Sequence, residues 1–158
     1  MIIDPKQLIK NDPTEGVKTA AIVFVKQGES KVKKTPQLLC KLIVLAGEDK
    51  GCEFWDTLYF TPGSVPRLQS VLLAAGHTEK VSGQDEFGAA VLNKPMKLRL
   101  KNEEFNGRTR LKVAAFFDRG TLSTKDLDVI KSAEADFETE GRFDLKKEEA
   151  PQGAEFEL

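Results

Sequence analysis

Two sets of side chains in this sequence could do chemistry together. The first is basic: Lys97, Arg99 and Lys101 recur at every second position, as do Arg108, Arg110 and Lys112. A spacing of two puts residues on one face of a β-strand. Asn106-Gly107 stands between the triplets, and a type I′ hairpin turn needs the positive φ that this dipeptide tolerates. A two-residue turn makes Phe105 oppose Arg108, and the pairs Met96–Phe117, Leu98–Ala115 and Leu100–Val113 follow. These apolar pairs form the expected core face. The opposite face carries the six cations with Phe105 and Phe116. On it Glu103 opposes Arg110, a candidate ion pair, and Lys101 opposes Lys112, a mildly unfavourable match.

The second set is aromatic. Alternation over Cys52–Phe60 places Cys52, Phe54, Asp56, Leu58 and Phe60 on one face, and Glu53, Trp55, Thr57 and Tyr59 on the other. Trp55 and Tyr59, the chain's single Trp and single Tyr, therefore share a face. Cations that track a phosphate backbone, with rings on which bases stack, suit single-stranded nucleic acid. A third basic element, Lys31, Lys33 and Lys34, sits in a polar loop that could close over such a strand. The alternatives are a solvated strand face for the cations and, for the rings, burial under a helix or the N-terminal arm. Asp56 on the inward face has no evident partner, unless a β-bulge moves it.

Catalytic chemistry finds little support. Two cysteines (Cys40, Cys52) and one histidine (His77) cannot assemble a Cys/His zinc site, and any nucleophile system would depend on His77 alone. Asp49, Asp56, Asp85 and Asp118 show no spacing that gathers them for Mg²⁺, and no phosphate-binding glycine loop occurs. The expectation is a protein that is not an enzyme and uses no metal or cofactor. No apolar run approaches a membrane span, and the N-terminus lacks the basic and apolar regions of a signal peptide, so a soluble, cytoplasmic protein is expected. The net charge of −1 conceals a split. Residues before position 118 include 18 basic and 13 acidic side chains, a surplus of +5, and the remainder has 6 and 12, a deficit of −6. A basic body with an acidic tail suggests an anionic partner for the body.

These side chains need a scaffold. Residues 16–26, 37–46 and 52–60 read as three strands joined by polar connections, with Gly47 to Gly51 forming the second turn. A helix follows, with Thr61 or Ser64 as N-cap, Val65, Leu68, Val71, Leu72 and Ala75 on one face, and Gly76 at its end. Gln84–Leu92 is a weaker helical candidate. Strands at 95–102 and 108–117 complete the order β-β-β-α-β-β. That is the element order of a mainly β, five-stranded OB-fold, a Greek-key barrel with one helix between its third and fourth strands. An open β-sandwich with a covering helix is the second architecture. The expected division is a nucleic-acid-binding domain over 1–120, then a short helix capped by Ser123 and a disordered acidic tail over 121–158.

Three stretches also carry a family resemblance. They are Gly47–Gly51 through Trp55-Asp56-Thr57-Leu58-Tyr59-Phe60-Thr61-Pro62, the helix Arg67–Gly76, and Phe105-Asn106-Gly107-Arg108-Thr109-Arg110. Together they resemble a family of phage-encoded single-stranded-DNA-binding proteins, once filed as a domain of unknown function, over about residues 16–118. Gly63-Ser64-Val65-Pro66 departs from that family's uninterrupted helix start. The resemblance implies an OB-fold, sequence-tolerant binding of single-stranded DNA in phage replication or recombination, and location in the host cytoplasm. It also implies that the acidic end, with Glu155, Phe156, Glu157 and Leu158, recruits replication or recombination proteins. The alternative function is an accessory protein-interaction module for such an enzyme; a homo-oligomer stays open.

Overall fold

The computed structural model describes residues 13–140, and every structural statement below concerns them. Five antiparallel strands form one sheet: β1 Gly16–Glu29, β2 Pro36–Val44, β3 Glu53–Tyr59, β4 Pro95–Phe105 and β5 Arg108–Phe116. Their spatial order is β3-β2-β1-β4-β5, so β1 is central and pairs with both β2 and β4. The sheet curls into a half-barrel that draws its two edges, β3 and β5, towards each other. A bulge assists the curl. Ile22 pairs with Leu42 and Phe24 with Lys41, leaving Val23 as the extra residue, and such an insertion bends a strand and raises its twist.

The β3–β4 connection holds two helices where the expected element order has one: α1 Val65–Ala74, and α2 Gly83–Val91 in the place of the weaker candidate Gln84–Leu92. A single 3₁₀ turn, Pro62–Ser64, leads into α1, and the Thr61 hydroxyl bonds to that of Ser64 instead of capping the helix. Gly76, at φ 82°, ends α1, and its missing side chain admits Arg119, whose Nη1 would lie 2.9 Å from a Cβ there. Arg119 donates from Nε to the Ala74 carbonyl (3.1 Å) and from Nη2 to the Pro95 carbonyl (2.6 Å), tying the end of α1 to the start of β4. In α2, Phe87 and Val91 recur at four-residue spacing and are buried, the amphipathic signal that a nine-residue helix can carry. The concave face packs Ile22, Leu38, Leu42, Leu58, Leu98 and Val113 against Val71 of α1 and Phe87 of α2.

The convex face has a core of its own. Ala21, Val23, Ile43 and Leu45 cluster with Ala133 of a third helix, α3, which spans Thr124–Glu140. The Ser123 hydroxyl accepts from the Asp126 amide (3.2 Å), the cap expected from sequence. The expected helix after residue 120 thus packs against the sheet. The tail beyond 140, including Glu155, Phe156, Glu157 and Leu158, lies outside the described residues.

The hairpin register departs from the expected one in a single place. Phe105–Arg108, Glu103–Arg110, Lys101–Lys112 and Leu100–Val113 pair as the turn dictates. Arg99 then pairs with Ala115, and Leu98 with Phe116, so Ala114 is the extra residue of a second bulge. The pairs Met96–Phe117 and Leu98–Ala115 therefore do not form. Phe116, expected on the cationic face, turns inward and is buried, and Phe117 takes the outward position.

Candidate nucleic-acid interface

The gap between β3 and β5 is a groove of about 450 Å³. β3 contributes Trp55, Thr57 and Tyr59, β5 contributes Arg110 and Lys112, and Asp56 and Arg67 are also part of its lining. Tyr59 is 47% exposed and Trp55 is half-buried, its indole meeting the Phe24 ring edge-on at 6.2 Å. Trp55 and Tyr59 are four residues apart, about 13 Å along a strand. Beside them on the convex face lie Leu39 and Lys41 of β2, both buried, with Lys41 opposite Trp55 and its Nζ 3.3 Å from Glu53. The lysine stem gives the indole an apolar neighbour while its charged end is held by Glu53.

The six-cation row divides. Arg110 and Lys112 stand with the rings, and Lys112 also reaches Glu103 at 3.3 Å. Lys97 and Arg99 stand apart, 5.9 and 5.6 Å from the centroid of Phe117, and Lys97 donates to Asp126 of α3 at 2.7 Å. That bond holds the Asp126 carboxyl below the usual range. Lys101, opposite Lys112, and Arg108, at the hairpin tip, are exposed. The backbone of Phe105 pairs with Arg108, and its side chain is outside the described set. Lys31, Lys33 and Lys34 are exposed on the β1–β2 tip, where Ser30 and Thr35 close the turn. Because β1 and β3 both run antiparallel to β2, that tip projects from the Tyr59 end of the sheet.

Asp56 needs no bulge. Arg67 of α1 reaches into the seam, donating from Nη2 to Asp56 Oδ2 and to the Val113 carbonyl, both at 3.0 Å, with its guanidinium carbon 5.1 Å from the centre of the Phe116 ring. One arginine thereby joins α1, β3 and β5 where the strands exchange no ladder bonds. Burial pushes the Asp56 carboxyl up to about 6, against the opposing pull of Arg67 and Lys112. Burial also raises the Cys40 thiol, which the Asp56 charge reinforces, so the thiol stays protonated. The sequence did carry a signal for Arg67: it lies four and seven residues before the buried Val71 and Ala74, on the helix's inner face.

Elsewhere, Asp49 accepts from Lys18 Nζ (2.7 Å) and from the amide and hydroxyl of Thr14 (2.8 and 2.7 Å). These bonds lower its carboxyl to about 2 and pin the start of the described chain to the β2–β3 turn. Among the described residues no group of three His, Cys, Asp or Glu side chains could hold a metal ion, and no helix is long and apolar enough to cross a membrane. No protein-family model matches the chain, and no curated protein matches it.

Proposed function

We propose that this protein binds single-stranded nucleic acid, DNA by family resemblance, with little sequence preference, and that its half-barrel is an OB-fold. The observation that carries the reading is the groove itself, in which Trp55 and Tyr59 of one edge strand face Arg110 and Lys112 of the other. Every base has a π-face and every nucleotide a phosphate, so rings beside cations bind a flexible strand whatever its sequence. A rigid duplex keeps its bases stacked inside and cannot offer them to rings in a narrow seam. The OB reading is supported by the order β3-β2-β1-β4-β5, the doubly paired β1 and the helices between β3 and β4. A role in phage replication or recombination rests on the sequence resemblance.

The test is Trp55 fluorescence titrated with single- and double-stranded oligonucleotides at two salt concentrations. The reading expects quenching by the single strand and a steep loss of affinity with salt, because released counterions dominate such binding. No quenching at low salt refutes it. A second reading, a protein-interaction module, is favoured by the apolar groove along α1, where Val65 and Leu73 are exposed and Leu68 and Leu72 form the wall. It expects complexes with a replication enzyme that survive moderate salt.

A further inference from the structure

A carboxylate on the floor of a groove for a polyanion is a liability unless something neutralises it. Here that carboxylate is Asp56, 13% exposed, and its partner Arg67 is 31% exposed in the same groove. All of Arg67's hydrogen bonds among the described residues leave from Nη2, so Nη1 and Nε remain unengaged. The Val113 carbonyl and the Phe116 ring hold the guanidinium in place independently of Asp56. It is therefore a fixed fork of N–H donors, the geometry that matches a phosphate.

We propose that Arg67 is an anion-binding residue of the groove and that Asp56 gates it, the carboxylate and a nucleic-acid phosphate competing for one guanidinium. The inference rests on the nucleic-acid reading above and names the contact that regulates it. Asp56 is faced by Arg67 from α1, Lys112 from β5 and the Cys40 thiol from β2. Protonation of Asp56 near pH 6 removes the competing charge and leaves Arg67 to the phosphate. Binding thus tightens on mild acidification, as the gate opens.

The experiment measures anisotropy of a fluorophore-labelled oligothymidylate, whose bases do not titrate in this range, with the full chain at about pH 5 and pH 7.5. Asp56→Asn binds at least about threefold tighter than wild type at the higher pH, the Coulomb effect of removing a unit charge about 6 Å from a phosphate even at the dielectric constant of water. The variant also loses the wild type's gain on acidification, and adding Arg67→Lys to Asp56→Asn abolishes the threefold advantage. His77 lines the separate groove of α1, so His77→Gln keeps the wild-type pH response. If Asp56→Asn does not fold, the wild type decides. Its slope of log affinity against log salt steepens by about 0.7 between pH 7.5 and pH 5, one added phosphate contact on a single strand. Unchanged affinity and pH response in Asp56→Asn, or an unchanged salt slope in the wild type, overturns the gate. No binding by the wild type at either pH instead overturns the nucleic-acid reading.

Discussion

Asp56→Asn also makes a prediction about the free protein, with no ligand present. The folded carboxyl titrates near 6 against an ordinary 3.8. A carboxyl raised on folding holds its proton more tightly in the native state. Its contribution to stability is therefore whole below about 3.8 and is lost as the pH rises through about 6. The full shift corresponds to about 3 kcal/mol at 1.36 kcal/mol per unit. Between pH 5 and pH 7.5 the titration curves leave about 1.4 kcal/mol to be lost, a tenfold change in the unfolding constant. With Asp56 13% exposed, that figure is an upper bound.

The assay is urea unfolding followed by Trp55 fluorescence, at both pH values, for wild type and Asp56→Asn. The asparagine keeps the shape, and its carbonyl still accepts from Arg67 Nη2, but it cannot titrate. Wild type should lose up to about 1.4 kcal/mol more than the variant across the interval. Comparing two proteins under the same conditions cancels the contribution of every group they share. Equal losses would mean that Asp56 ionises at an ordinary pKa. The burial argument for the seam would then fall, whatever the absolute stability of the variant.

Other expectations can be checked with the same protein. Replacing both Arg110 and Lys112 by Glu should abolish oligonucleotide binding at moderate salt and leave the unfolding transition in place. Trp55→Ala and Tyr59→Ala should each weaken binding by roughly 1–3 kcal/mol, the range for one base–ring stack, measured by titration of a labelled oligonucleotide. The second bulge predicts an asymmetry between neighbours. Phe116→Ala should destabilise the fold by about 3–5 kcal/mol in urea, whereas Phe117→Ala, on the outward face, should fall well short of that. Gly76→Ala, at φ 82° and against Arg119, should cost about 1–3 kcal/mol of thermal stability.

What could be read from the sequence was periodic, and what could not was produced by irregularities. Asn106-Gly107 fixed the turn, and the inner half of the hairpin register followed from it correctly up to Leu100–Val113. Ala114 has nothing in its type that announces a bulge, yet that one residue exchanges the roles of Phe116 and Phe117. β2 read as a nearly continuous apolar run because it is covered on both faces, by the core on one and by Phe24, Trp55 and α3 on the other. Its outward Lys41 was therefore easy to pass over. The division of the cationic row was not legible either. It depends on where α3 docks, and the contact between Lys97 and Asp126 spans 29 positions that no local pattern links. Asp56 stands out in the sequence as a charge on an otherwise apolar face. The cation that explains it stood eleven residues on, at a helical spacing visible in retrospect.

The seam admits two explanations of the same residues, and they differ in what charge sign requires. β3 and β5 are sheet edges, and exposed edge backbone invites pairing with another chain. Natural proteins guard such edges with charged side chains, so Arg110 and Lys112 could be there only to repel a neighbouring strand. Edge protection is indifferent to sign: glutamates repel an intruding copy as well as lysines do, because identical edges carry identical charges. A polyanion is not indifferent. Charge reversal at these two positions therefore separates the explanations where alanine would confound them, since alanine removes the guard along with the phosphate contact. A reversed protein that stays monomeric and folded yet no longer binds an oligonucleotide assigns the cations to the ligand. One that binds as before assigns them to the edge, and leaves Trp55 and Tyr59 without the partners that make a stacking groove.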